Sequence, residues 1–218
     1  DQPEYNILID FSSMTRVWYS SVLDYFRNLE SQKKCRVNLY FSYTKSNYIP
    51  PPNEEIPNRH IGPIKGFYNL SLPVKPTVLI IGLGYEKMRA FGLTEFLDAE
   101  TLLFYTNPSD QNEFSIDVER NNAELLKIVS DENIFKYSLN SLEHLYFILH
   151  SICKKLIQKN RVVIAPSGPK PFTLISLFVS ILLKELDIWR ISPGKQAPPL
   201  DRIPNGEFIL IKSTFFCK

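Results

Sequence analysis

The 218-residue sequence predicts an α/β fold: a mostly parallel, doubly wound sheet with helices on both faces. Three observations predict it. Runs such as "TVLIIGLG", "TLLFYTNP" and "RVVIAPS" are continuously apolar, as strands covered on both faces are. Between them stand segments whose apolar residues recur at helical spacing. From Thr77 onward strand and helix alternate, the order that parallel crossovers require. Right-handed crossovers then make the domain Rossmann-like, and the length suits one such domain over residues 1–218.

Taken in order, "YNILIDFSS" is the first strand and ends near Ser12. "MTRVWYSSVLDYFRNLE" is a helix whose apolar stripe reads as Val17, Val22 or Ser21, Tyr25, Phe26 and Leu29. "CRVNLYFSY" alternates, with Val37, Leu39 and Phe41 set against Arg36, Asn38 and Tyr40, as a strand does. Residues 47–75 then carry most of the prolines and read as a proline-rich loop inserted after the second strand. Such a length is unusual for a connection inside a compact domain. The regular part follows: strand "TVLIIGLG", helix "EKMRAFGLTEFL", strand "TLLFYTNP", helix "SIDVERNNAELLKIVSD" and strand "NIFKYSL". Helix "LEHLYFILHSICKKLIQ", strand "RVVIAPS", helix "PFTLISLFVSILLKEL", strand "DIWRISP" and a last strand "EFILIKSTFF" complete the chain.

Apolar residues make up 44% of the chain, with 15 Phe and 11 Tyr, which is ample for a packed core. A net charge of +2 argues against bulk DNA binding and leaves room only for a local basic pocket. Cys35, Cys153 and Cys217 are odd in number and unclustered, so buried thiols in a reducing, cytoplasmic setting are expected rather than a disulfide framework. The most apolar helix, at 172–183, falls short of the roughly 20 residues that a membrane span needs, and no membrane association is expected. The chain begins at Asp1 and shows no signal peptide, so excision from a longer chain is expected.

Ligands of doubly wound sheets sit beyond the carboxyl ends of the strands, where the strand order reverses. That rule selects a few junctions. In "DFSSMTR" the hydroxyls of Ser12, Ser13 and Thr15 suit helix capping; with Arg16 they also suit a phosphate or a base edge, while Asp10 suits a ribose hydroxyl. "GLGYEKMRAFG" offers Gly82 and Gly84 for close backbone approach, and Tyr85, Glu86, Lys87 and Arg89 for either a pocket mouth or a solvated helix face. It is not a dinucleotide fingerprint, because Lys87 stands where a glycine is needed and Thr106-Asn107 where an acid is needed. "APSGPKP" places Ser167, Gly168 and Lys170 at a helix start, where a lysine beside the positive end of the helix dipole is relieved by an anion. The other account of that motif is a proline-stabilised turn with an exposed lysine.

The strand, the Ser-Gly-Pro-Lys turn and the apolar helix together resemble the CARF domains, the CRISPR-associated Rossmann-fold sensors, and the related SAVED sensors. The resemblance rests on Ser12, Ser13 and Thr15 and on Ser167, Gly168 and Lys170, within the architecture of most of the chain. It implies a cyclic oligonucleotide bound between these two motifs at the two-fold axis of a homodimer. The expected function is therefore a regulatory, ligand-sensing domain for a nucleotide or cyclic oligonucleotide, of the kind used in antiviral defence. The alternatives are a nucleotide-processing enzyme on the same fold and a protein-interaction module using the proline-rich loop. No catalytic residue is nominated, since there is no G-x-S-x-G elbow and no Cys/His pairing. His60, His144 and His150 lack a ligand spacing, so neither a metal nor a resident cofactor is expected. The strands ending near Ser12 and Ser167 are expected to lie side by side in one sheet.

Overall fold

The computed structural model describes residues 2–29, 34–50, 60–69, 74–107, 112–192 and 202–217. The chain divides into two compact units, one made of Asp1–Asn47 with Leu200–Lys218, the other of Tyr48–Pro199.

The first unit holds β1 (Glu4–Asp10), α1 (Arg16–Arg27), β2 (Cys35–Ser46) and β9 (Pro204–Cys217). Its sheet has the order β1-β2-β9, with β1 parallel to β2 and β9 antiparallel to it. Phe11, Tyr19, Leu23, Leu39 and Phe41 are fully buried and form its core, with the Phe11 ring 5.4 Å from Tyr19 and 6.1 Å from Phe41. The buried stripe of α1 is thus Tyr19–Leu23, whereas Tyr25, which the periodicity assigned to the core, is 60% exposed. Cys35 and Cys217 are register partners across β2 and β9 and form a disulfide, with Cα atoms 5.1 Å apart. That corrects the expectation of three thiols and removes the ground on which a reducing compartment was inferred. Cys153 alone is free, and its burial pushes the thiol pKa up to about 12.

The second unit contains β3 (His60–Pro63), β4 (Thr77–Gly82), α2 (Arg89–Leu97), β5 (Glu100–Thr106), α3 (Asn112–Asn121) and α4 (Ala123–Ile128). It continues with β6 (Ile134–Tyr137), α5 (Leu142–Leu156), β7 (Arg161–Pro166), α6 (Lys170–Leu182) and β8 (Asp187–Ser192). The strands form one sheet in the order β3-β8-β7-β4-β5-β6, parallel throughout except for β3 at the edge. Leu79, Ile81, Leu103, Tyr105, Val163 and Ala165 face Leu93, Val118 and Leu125 of α2, α3 and α4. The alternate residues Val78, Ile80, Phe104, Val162 and Ile164 are buried as well, and Phe104 meets Phe172 of α6 at 5.7 Å. Burial of consecutive residues is why these strands read as unbroken apolar runs. α6 is covered nearly all round, and no helix among the described residues is long and apolar enough to cross a membrane.

Part of the stretch read as a proline-rich loop is sheet. Residues 60–63 are β3, and Ile64 and Phe67 behind it are each 2% exposed. Residues 51–59 and 70–73 of that stretch lie outside the described residues. The buried carboxylate of Asp187 ties this segment down, accepting the Asn69 N–H at 2.7 Å and the Arg161 guanidinium at 2.6 and 2.8 Å.

Candidate functional site

From β4 the chain steps through α2 to β5 and through α3 and α4 to β6; α5 then carries it back to β7 on the opposite side of β4, and α6 leads on to β8. The strand order therefore reverses between β4 and β7, whose register ends at Gly82 opposite Pro166. Beyond it the two loops grip each other. The N–H groups of Ser167 and Gly168 both donate to the Gly82 carbonyl, at 2.8 and 2.7 Å, while Leu83 N–H donates to Phe104 at 2.7 Å.

Three glycines stand at this junction, each needed for space rather than for a left-handed turn: Gly84 and Gly168 against the opposing loop, Gly82 against α6. A Cβ on Gly82 would stand 2.5 Å from the Phe172 ring. A Cβ on Gly168 would collide with the Leu83 carbonyl oxygen. A Cβ on Gly84 would collide with Glu86 Oε2 and come within 2.8 Å of the Ser167 carbonyl oxygen. What approaches Gly168 closely is thus the backbone of the neighbouring loop.

Side chains from the α3–α4 junction hold the β4 loop from its other flank. Asn121 Nδ2 donates to the Tyr85 carbonyl at 2.5 Å, and Asn122 Nδ2 donates to the Gly84 carbonyl at 2.9 Å. The Tyr85 ring is turned into the core, edge-on to Phe114 at 5.3 Å, and so does not form a pocket mouth. Just after Tyr85 the loop charges pair: Arg89 Nη1 stands 2.7 Å from Glu86 Oε1, with the Arg89 side chain only 12% exposed. Between them Met88 adopts φ 60°, a left-handed conformation that costs a side chain about 1–2 kcal/mol and that glycine would take without strain.

The helix start itself has fewer anion donors than the sequence promised. In α6, Pro169 is the N-cap and Lys170 the first helical residue. Pro171 carries no N–H, and Phe172 N–H donates to the Pro169 carbonyl at 3.0 Å. With the Ser167 and Gly168 amides also engaged, a seat built from free backbone N–H groups is not what the turn provides. Its polar side chains are Ser167, buried, and Lys170, half-buried rather than exposed.

Gly82, Gly84, Tyr85, Ser167, Gly168 and Lys170 are therefore brought together on two touching loops of the second unit. Ser12, Ser13, Thr15 and Arg16 belong to the first unit. Among the described residues β1 pairs only with β2, so the strands ending near Ser12 and Ser167 are not paired neighbours, which corrects the expectation that they adjoin. The Ser12 hydroxyl bridges the turn after β1: it donates to Asp10 Oδ1 at 2.5 Å and accepts the Thr44 N–H at 2.8 Å. Thr15 is the N-cap of α1 but its side chain makes no capping bond.

Sequence reasoning passed over Asn121 and Asn122. Two adjacent poor helix formers inside "SIDVERNNAELLKIVSD" mark the break between α3 and α4. Among the described residues no three His, Cys, Asp or Glu side chains group closely enough to hold a metal ion. No protein-family model, curated protein or solved structure matches the chain.

Proposed function

We propose that residues 48–199 form a Rossmann-like, doubly wound ligand-binding domain whose ligand sits across the carboxyl ends of β4 and β7. The observation that carries this reading is the reversal of strand order at that point, with the Gly82–Arg89 and Ser167–Lys170 loops in direct contact there. In open parallel sheets the crevice at such a reversal is where ligands bind. Lys170 and Ser167 supply an ammonium and a hydroxyl, and strain at Met88 fits a loop shaped for recognition rather than for stability alone.

The ligand class is a nucleotide or a cyclic oligonucleotide, and the role is a regulatory sensor acting as a homodimer. Support for that narrower statement is the resemblance to CARF and SAVED domains, carried here by Ser167, Gly168 and Lys170. Thermal melting against mono-, di- and cyclic oligonucleotides tests it. A ligand at 100 times its Kd stabilises the fold by about 2.7 kcal/mol, which is readable as a shift in Tm. Lys170→Ala is expected to remove most of that shift. If no member of the panel moves the melt, or if Lys170→Ala responds as the native chain does, the reading is refuted.

A further inference from the structure

We infer that Glu86, held by Arg89, is the group that reads the sugar of the bound nucleotide by accepting its vicinal hydroxyls. The inference rests on the crevice at β4 and β7 being the ligand site. Four observations lead to it.

The carboxylate is oriented. Arg89 Nη1 grips Oε1 at 2.7 Å from a guanidinium that is itself nearly buried, so the side chain is not a free surface acid. Its other oxygen is unfilled, because among the described residues no donor reaches Glu86 Oε2. That oxygen lies against Gly84 at the meeting of the two loops, where Oε2 and the Ser167 carbonyl oxygen both crowd the place that a Gly84 Cβ would take. Finally, Glu86 is 35% exposed and so remains reachable from solvent.

Two acceptor oxygens brought to one spot favour a hydrogen-bond donor there over another acceptor. A phosphate at this spot is disfavoured, since it would face a carboxylate. A vicinal diol fits, as one hydroxyl donates to Glu86 Oε2 and the next to the Ser167 carbonyl. In dinucleotide-binding sheets the ribose is held by an acid at the end of the second strand of the unit. The corresponding strand end is Thr106-Asn107 and carries no acid. The first loop supplies the carboxylate instead. The phosphate of the same ligand then lies towards Lys170, on the other loop.

The test compares adenosine and guanosine 5′-monophosphates with their 2′,3′-dideoxy forms by calorimetric titration. The native chain is expected to bind the ribonucleotide about ten- to a hundred-fold more tightly, the worth of a hydrogen bond to a charged acceptor. In Glu86→Ala the ratio should fall to about twofold or less, with the dideoxy forms bound as in the native chain. Arg89→Lys should lower the ratio in the same direction, because it loosens the carboxylate without removing it. Glu86→Gln, which keeps the shape and one acceptor, should give an intermediate ratio, measured on protein shown by its melt without ligand to be folded. That intermediate ratio separates recognition from mere unfolding. A ratio near one in the native chain, or one unchanged in Glu86→Ala, overturns the inference and leaves the crevice as the ligand site. Binding of cyclic oligonucleotides but not of monophosphates also overturns it, since a 3′,5′ linkage leaves no vicinal diol. If no nucleotide binds at all, the site and the inference fall together.

Discussion

Gly168→Ala probes the contact on which the candidate site depends. The added methyl carbon would collide with the Leu83 carbonyl oxygen and stand 3.1 Å from the Leu83 carbonyl carbon. Both are backbone atoms, so no side chain can swing aside, and the two loops must separate. Separation strains or breaks two hydrogen bonds, those from Ser167 and Gly168 to the Gly82 carbonyl at 2.8 and 2.7 Å. At about 0.5–1.5 kcal/mol each, their loss amounts to roughly 1–3 kcal/mol, and an orphaned buried carbonyl adds to it. The expected loss is therefore about 2–4 kcal/mol, read by urea titration as a lower midpoint at unchanged slope. Gly92→Ala is the control, because a methyl group there meets nothing within 4 Å and the position lies inside α2. It should stabilise the fold by about 0.5–1 kcal/mol, the ordinary gain of alanine over glycine in a helix. Should Gly168→Ala fall within about 0.5 kcal/mol of the native chain, the loops are not in contact as described, and the crevice argument loses its geometry.

The remaining predictions concern the frame around the site. Asp187→Asn should destabilise by about 2–4 kcal/mol in urea titration; breaking a buried pair costs about 3–5 kcal/mol, and Arg161 at 28% exposure recovers some hydration. A loss below about 0.5 kcal/mol would mean that the pair does not fasten β7, β8 and Asn69. Reduction of Cys35–Cys217, which closes a separation of 182 residues, should lower Tm at matched pH by the equivalent of about 2–5 kcal/mol; an unchanged melt with and without reductant would contradict the pairing. Partial burial pushes the Glu119 carboxyl pKa up, but the hydrogen bonds from Lys136 and Tyr105 and the Lys136 charge together outweigh it, so the net shift is downward. A carboxylate with a depressed folded pKa contributes stability above its unfolded pKa and loses it as pH falls through the folded value. Glu119→Gln should therefore flatten the acid limb of the stability profile below about pH 5 and leave the midpoint's slope unchanged, whereas a parallel offset at all pH values would refute the linkage.

Which strands belong to which sheet was legible in their texture, although the single-sheet expectation ignored it. "TVLIIG" and "RVVIAP" are apolar at every step because β4 and β7 are covered on both faces. "CRVNLYFSY" alternates because β2 buries Val37, Leu39 and Phe41 and turns Arg36 and Tyr40 the other way. Alternation is the mark of a sheet with one open face, and antiparallel pairing is its usual partner. β2 and β9 are antiparallel, and Phe208, Leu210 and Phe216 on β9 remain exposed. Pairing of Cys35 with Cys217 depends on register between strands at opposite ends of the sequence, which no local pattern encodes. β3 was hidden for the opposite reason. "HIGP" is short, ends in proline and sits in polar surroundings, and only its ladder to β8 makes it a strand.

The candidate site was legible as positions but not as chemistry. Gly82, Gly84, Ser167, Gly168 and Lys170 were visible as the punctuation between strand and helix. Their roles turn on contacts across the sheet, since Gly84 and Gly168 make room for the opposing loop and Gly82 for Phe172, and the Ser167 and Gly168 amides are bonded to Gly82 while Pro171 has none. Neither loop carries a histidine; His60 lies on β3, and His144 and His150 lie on α5, where His150 is stacked on Tyr146. A serine nucleophile is served by a lysine as well as by an imidazole, and Lys170 lies three residues after Ser167. The charged side chains of these loops include the Glu86–Arg89 ion pair on one and Lys170 on the other. On the reading proposed above, the carboxylate of one loop takes the sugar of a nucleotide and the ammonium of the other its phosphate.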